Sequence, residues 1–84
     1  MFLHVTRVEH LGGYSLLLDF NDGTSKEVDL TGELHGPVFE PLKDPAYFAM
    51  AAVNPETMTV EWPNGADLAP EYLHELGTPV KQVA

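Results

Sequence analysis

The chain's four histidines have the most chemistry to offer, and their spacing decides whether they can act together. His4 and His10 fall in a stretch that reads as a strand. Six residues apart, they share a face but stand about 20 Å from each other, too far to hold one ion. His35 lies in a connection rich in glycine and proline, and His74 on a short helix near the C-terminus. Glu71-Tyr72-Leu73-His74 has the Glu-x-x-His spacing of bundle metal sites, but that chemistry needs a second such motif and two further carboxylates from other helices. A solvated helix face, with Glu71 near the positive N-terminal end, explains the same residues. Asp19-Phe20-Asn21-Asp22-Gly23 has the look of a calcium loop. Its glycine comes one place early, however, and Leu30 stands where the bidentate glutamate belongs. Ser15 and Ser25 have no nucleophile elbow around them. No glycine-rich cradle leads into a helix, and the chain has no cysteine. No catalytic residue, metal ligand or cofactor is therefore assigned, and the expectation is a non-enzyme.

The elements that would position any site are arranged around Trp62-Pro63-Asn64-Gly65-Ala66-Asp67-Leu68. This stretch holds the only tryptophan and an Asn-Gly step that reads as a tight turn. Strands precede it; one helix and a tail follow. Trp62 reads as a core anchor whose indole N–H reaches a nearby carbonyl, with a partly exposed contact residue as the alternative. Asp67 reads as a cap or turn residue. Trp62, Pro63, Asn64, Gly65 and Asp67, with Phe39 and Tyr47 upstream, are the candidate interaction residues.

In chain order, residues 3–10 form a first strand whose broken alternation at Val5 and Val8 admits a bulge. Leu11-Gly12-Gly13 turns the chain. Tyr14, Leu16, Leu18 and Phe20 then share one strand face at period two. Asn21-Asp22-Gly23 is a hairpin loop with glycine at the positive-φ position. Residues 24–30 return with Lys26, Val28 and Leu30 inward. Residues 31–41 connect, and Asp44-Pro45 starts a short helix over Ala46, Tyr47 and Phe48. Residues 49–53 lead into a strand or, since alanine favours helix, prolong that helix. In residues 57–62, Met58, Val60 and Trp62 face the core, and Thr57, Thr59 and Glu61 face water. Residues 70–76 form a helix with Leu68, Tyr72, Leu73 and Leu76 as its apolar face. Gly77 ends it. The expected fold class is α+β: a small antiparallel β-sheet domain of about five strands, with one short helix mid-chain and one near the C-terminus. Residues 1–77 form the single domain and 78–84 a tail.

Thirteen acids oppose four bases, a net charge of −9. This charge repels phosphate backbones and anionic headgroups, so neither direct nucleic-acid contact nor membrane binding is expected. No apolar run reaches membrane-spanning length, and no signal-peptide pattern opens the chain. Together with the lack of cysteine, this points to the cytoplasm.

Three segments occur in a telling order: Leu16 to Gly23, Val38 to Phe48, and Trp62 to Leu73. The set resembles the bacterial family called domain of unknown function 2442, over residues 3–76. The resemblance implies a compact α+β domain without established catalytic residues. It also implies pairing with a second small family encoded alongside, in the manner of a toxin–antitoxin pair. Some relatives add a helix-turn-helix, for which 84 residues leave no room. Ala69 stands where many relatives place a capping Asp. The resulting expectation is a small, acidic protein-interaction module, antitoxin-like or regulatory, whose partner is a small and basic protein. The alternatives are a ligand- or metal-binding domain and a homo-oligomer subunit that covers its own edge strands.

Overall fold

The computed structural model describes residues 2–80. Its centre is strand β2 (Ser15–Phe20), where Leu16, Leu18 and Phe20 alternate inward and are buried. β2 pairs antiparallel with β1 (Val5–Gly12) on one side and β3 (Ser25–Asp29) on the other. Both ends of β1 are irregular, with register shifts between Val5 and Arg7 and between His10 and Gly12. The β2–β3 loop closes with Gly23 N–H donating to Phe20 O and Gly23 at φ 87°. Only a residue without Cβ takes that φ at no steric cost.

A 3-10 turn (Glu40–Lys43), unannounced by the sequence, buries Leu42. It leads into α1 (Pro45–Phe48), whose N-cap Asp44 accepts a hydrogen bond from Ala46 N–H at 3.0 Å. The chain then straightens, and residues 49–53 resolve in favour of the strand. β4 (Ala52–Asn54) pairs with β5 (Thr59–Glu61) in a separate two-stranded ribbon. Val5 N–H donates to Met58 O at 2.9 Å and ties the ribbon to β1. Among the described residues, six strands in two antiparallel sheets and two helices make a small α+β domain.

Alternation misplaces two residues of the ribbon. Met58 is exposed, not in the core, because it closes the β4–β5 turn at φ 58° with its N–H bonded to Asn54 O. Thr59 is buried because Leu68 passes over it, and the Thr59 hydroxyl donates to Leu68 O at 2.6 Å. The segment after the Trp62 turn therefore covers a face that alternation assigns to water, and a bridge between Glu61 and Asp67 fixes its path.

Helix α2 (Pro70–Leu76) buries Leu73 completely, while Tyr72 stays exposed and donates to Glu33 Oε2 at 2.6 Å. Ala69 at its N-cap makes no side-chain bond. Gly77 ends the helix, but not through the left-handed conformation the sequence suggests: its φ and ψ are −73° and 152°. The reason for glycine is space. A Cβ here would lie 2.8 Å from Lys26 Cβ and 3.1 Å from Leu73 O. Beyond it, Thr78–Pro79 forms β6 on the outer edge of β3, so the order is β1-β2-β3-β6 and the sheet takes in the first two residues of the stretch read as a tail. Residues 81–84 of that stretch lie outside the described residues.

Gly77→Ala is expected to lower the unfolding free energy by about 1–3 kcal/mol, the usual cost of overpacking. Urea denaturation followed by circular dichroism reads it as a lower midpoint. An unchanged midpoint would show that Lys26 yields freely.

Candidate functional site

The Trp62 turn is built from the inside out. Trp62 is 1% exposed, and its indole N–H donates to Phe48 O at 2.9 Å. The two rings meet at 5.5 Å. Trp62 N–H donates to Ala66 O, and Gly65 N–H donates back to Trp62 O, which closes the turn with Gly65 at φ 87°. Asn64 works in both directions: Oδ1 accepts from Ala66 N–H at 3.1 Å, and Nδ2 donates to Val38 O at 2.8 Å. Phe39 and Tyr47 are half-buried against the same core. The structure thus brings Trp62, Asn64, Phe39 and Tyr47 into one region, where they join the middle connection to β5. Of the seven candidate interaction residues, Pro63, Asn64, Gly65 and Asp67 are exposed, and Trp62 is closed to any partner.

A second cluster has no sequence signal. His74 Nε2 lies 3.0 Å from Asp22 Oδ2 in the β2–β3 loop. Lys26 Nζ lies 3.2 Å from His74 Nδ1 and donates to His74 O at 2.7 Å. The Phe20 ring stands edge-on to the imidazole at 4.9 Å. These contacts latch the hairpin to α2 across 52 positions of sequence, beyond the reach of any local spacing rule. Elsewhere, His10 Nε2 lies 3.0 Å from Gly13 O, His4 is half-buried, and His35 is exposed. Among the described residues no group of three metal-ligating side chains converges.

Thr24, through its hydroxyl and then its amide, holds the Asp22 carboxyl below its ordinary value, with a smaller contribution from His74. Thr31 does the same for Asp29. Both carboxyls are depressed in the folded state. The stability they confer is present above pH 3.8, the ordinary value, and is lost as pH falls through the folded values. The Tyr72 hydroxyl is pushed up by its bond to Glu33.

An open groove of about 480 Å³ runs along the β4–β5 ribbon, its lining including Met50, Ala52, Asn54, Pro55, Glu61 and Pro63. Positive charge is sparse on the rest of the surface. Arg7 lies 3.8 Å from Glu9, Lys43 lies 3.1 Å from Glu40, and Lys26 is engaged by His74.

Residues 5–79 match the sequence profile of the family described as protein of unknown function (DUF2442). The fold is similar to the crystal structure of NE0471 from Nitrosomonas europaea, a protein named as a candidate for DNA binding. The TM-score is 0.78 at 27% identity, over 90% of this chain and 49% of that one. The chain thus spans about half the length of that protein. No curated protein matches it. The structural match corrects the expectation of no direct nucleic-acid contact. That expectation rested on net charge, which governs long-range attraction of the segment as a whole. Phosphate contacts are local, so the net charge of a chain does not decide them. Among the described residues no helix is long and apolar enough to cross a membrane.

Two variants check this description. Trp62→Phe removes the indole donor and leaves a void, while Phe48 O keeps its bond from Ala51 N–H. A loss of about 1–3 kcal/mol is expected in chemical denaturation; wild-type stability would show that the indole bond is not structural. Asp22→Asn is expected to flatten the acid limb of the stability curve, read as thermal midpoint against pH. A limb as steep as wild type would place the acid sensitivity elsewhere.

Proposed function

The chain belongs to the DUF2442 family, and from that premise we propose that it is a non-enzymatic protein-interaction domain of the bacterial cytoplasm. In this reading it is an antitoxin-like or regulatory partner of a small protein. One observation carries the reading: thirteen acids against four bases, with every cation among the described residues already set against an acid or a carbonyl. The surface offered to a partner is therefore strongly negative. Such a surface steers a positively charged protein into encounter and selects against acidic ones. The Trp62 turn supports the reading from the other side, because its hydrogen bonds are spent on holding the fold, which leaves recognition to the exposed surface.

The neighbour's name supports a second reading, in which a domain of this fold contacts nucleic acid itself or within a complex. One experiment separates the two. The chain is purified from its native host at about 50 mM salt, and the co-eluting proteins are identified by native mass spectrometry. Binding is then measured again at about 500 mM salt, where the Debye length falls to a few ångströms. A stoichiometric basic protein that dissociates at high salt is the expected result. Recovery of the bare chain alone, or a complex indifferent to salt, would overturn the first reading. A fluorescent DNA duplex added to the chain without its partner reports the second: a salt-sensitive rise in anisotropy supports it.

A further inference from the structure

We propose that the groove along the β4–β5 ribbon receives a short segment of the partner polypeptide. An arginine or lysine of that segment sits against Glu61, with apolar residues on either side of it. This inference rests on the interaction reading above and gives it a place on the molecule.

The ribbon presents two unlike faces. Val60 is fully buried and Val53 half-buried against the core. Ala52, Asn54, Thr59 and Glu61 belong to the opposite face by strand alternation and register, with Ala52 directly across from Glu61; the segment through Leu68 covers this face at Thr59 and leaves the groove at Ala52, Asn54 and Glu61. Met50, Pro55 and Pro63 line the same groove, so apolar groups stand beside the polar side chains of Asn54, Glu56 and Glu61. Met50 is 56% exposed, more than half of a large flexible apolar side chain. Thioether side chains of this kind adapt to the shape of what they meet.

The carboxylate within the groove is held in place. Asn54 Nδ2 donates to Glu61 Oε2 at 2.9 Å, while Asn54 Oδ1 accepts from Glu56 N–H at 2.8 Å. The amide that orients Glu61 is therefore itself fixed by the backbone of the next turn. Among the described residues no donor reaches Glu61 Oε1. A half-buried carboxylate with one oxygen anchored and the other free is preorganised to accept a cation. Apolar neighbours strengthen the attraction by displacing water from around the pair.

Charge selects the occupant. The lining includes Glu56 and Glu61 and no cation. A second copy of the chain carries the same −9 and would bring acids against acids. A bound metal ion would need more converging ligands than these two carboxylates, and no such group exists among the described residues. A polypeptide segment with one basic residue between apolar ones satisfies both the carboxylate and its apolar neighbours.

The test uses the isotope-labelled full chain and the pentapeptide acetyl-Val-Leu-Arg-Leu-Val-amide, followed by amide chemical shifts in nuclear magnetic resonance. A matched peptide with Glu in place of Arg is the control. Expected are saturable shifts at Met50, Ala52 to Asn54 and Glu61 with the arginine peptide only. Glu61→Gln should weaken the binding about two- to fivefold, the range of one partly exposed ion pair. Glu71→Gln, on α2 outside the groove, should leave it unchanged. Ala52→Arg, at an exposed position, should abolish it, and the dispersion of each variant's own spectrum confirms that it folds. Equal response to the glutamate peptide, or no effect of Glu61→Gln, would overturn the assignment. So would shifts centred on another surface, which would leave the interaction reading standing while moving its site. Absence of shifts up to millimolar peptide would overturn the groove alone, because the interaction reading is judged by the native partner.

Discussion

The hydrogen bond from the Trp62 indole to the Phe48 carbonyl is the constraint on which the rest of the molecule depends. It joins the end of a one-turn helix to the residue that follows β5, two elements too short to hold themselves. A helix this short leaves its carbonyls without intrahelical partners. The indole supplies a donor to one of them while its ring fills the centre of the core against Phe48. Asn64 repeats the device a few residues on by donating to Val38 O. The middle of the chain, with its glycines, prolines and 3-10 turn, is held to the sheet by side chains that reach backbone carbonyls. In a domain of 84 residues, where the core is thin, such bonds stand in for regular structure.

The most distinctive stretch of sequence therefore does structural work, and that shapes the functional argument. If Trp62, Asn64 and Gly65 hold the fold together, recognition falls to what they leave outside. That surface is acidic, the cations among its described residues are already engaged, and the groove beside the ribbon contains an anchored carboxylate. The likeness to a protein of about twice the length adds that this fold occupies about half of a longer chain in at least one structural neighbour.

Much of the fold was legible because burial on one face leaves a period-two trace. Leu16, Leu18 and Phe20 marked β2 without ambiguity, and Asn21-Asp22-Gly23 marked its hairpin. Asp44-Pro45 marked the start of α1. The failures share a cause, which is coverage by a segment distant in sequence or local geometry. Thr59 is buried only because Leu68 crosses it, and Met58 leaves the core because the turn needs its left-handed backbone. Gly77 sits in the expected place for a different reason, the side chain of Lys26. The Asp22–His74–Lys26 latch joins a hairpin loop to a helix that no local pattern connects. At the site, residue type identified Trp62 as an anchor with a carbonyl partner, but only the structure shows which carbonyl. The groove at Glu61 was invisible because a glutamate facing water looks the same in sequence whether or not an asparagine holds it.

Because the chain has one tryptophan, its fluorescence isolates the central contact. The most direct measurement is the emission of Trp62 and its quenching by acrylamide, taken on the native chain and again after denaturation. Native emission is expected at clearly shorter wavelength than in the denatured chain, with quenching several-fold weaker. Emission and quenching alike in the two states would put the indole in water. That result would contradict the buried bond to Phe48 and return Trp62 to the surface as a contact residue.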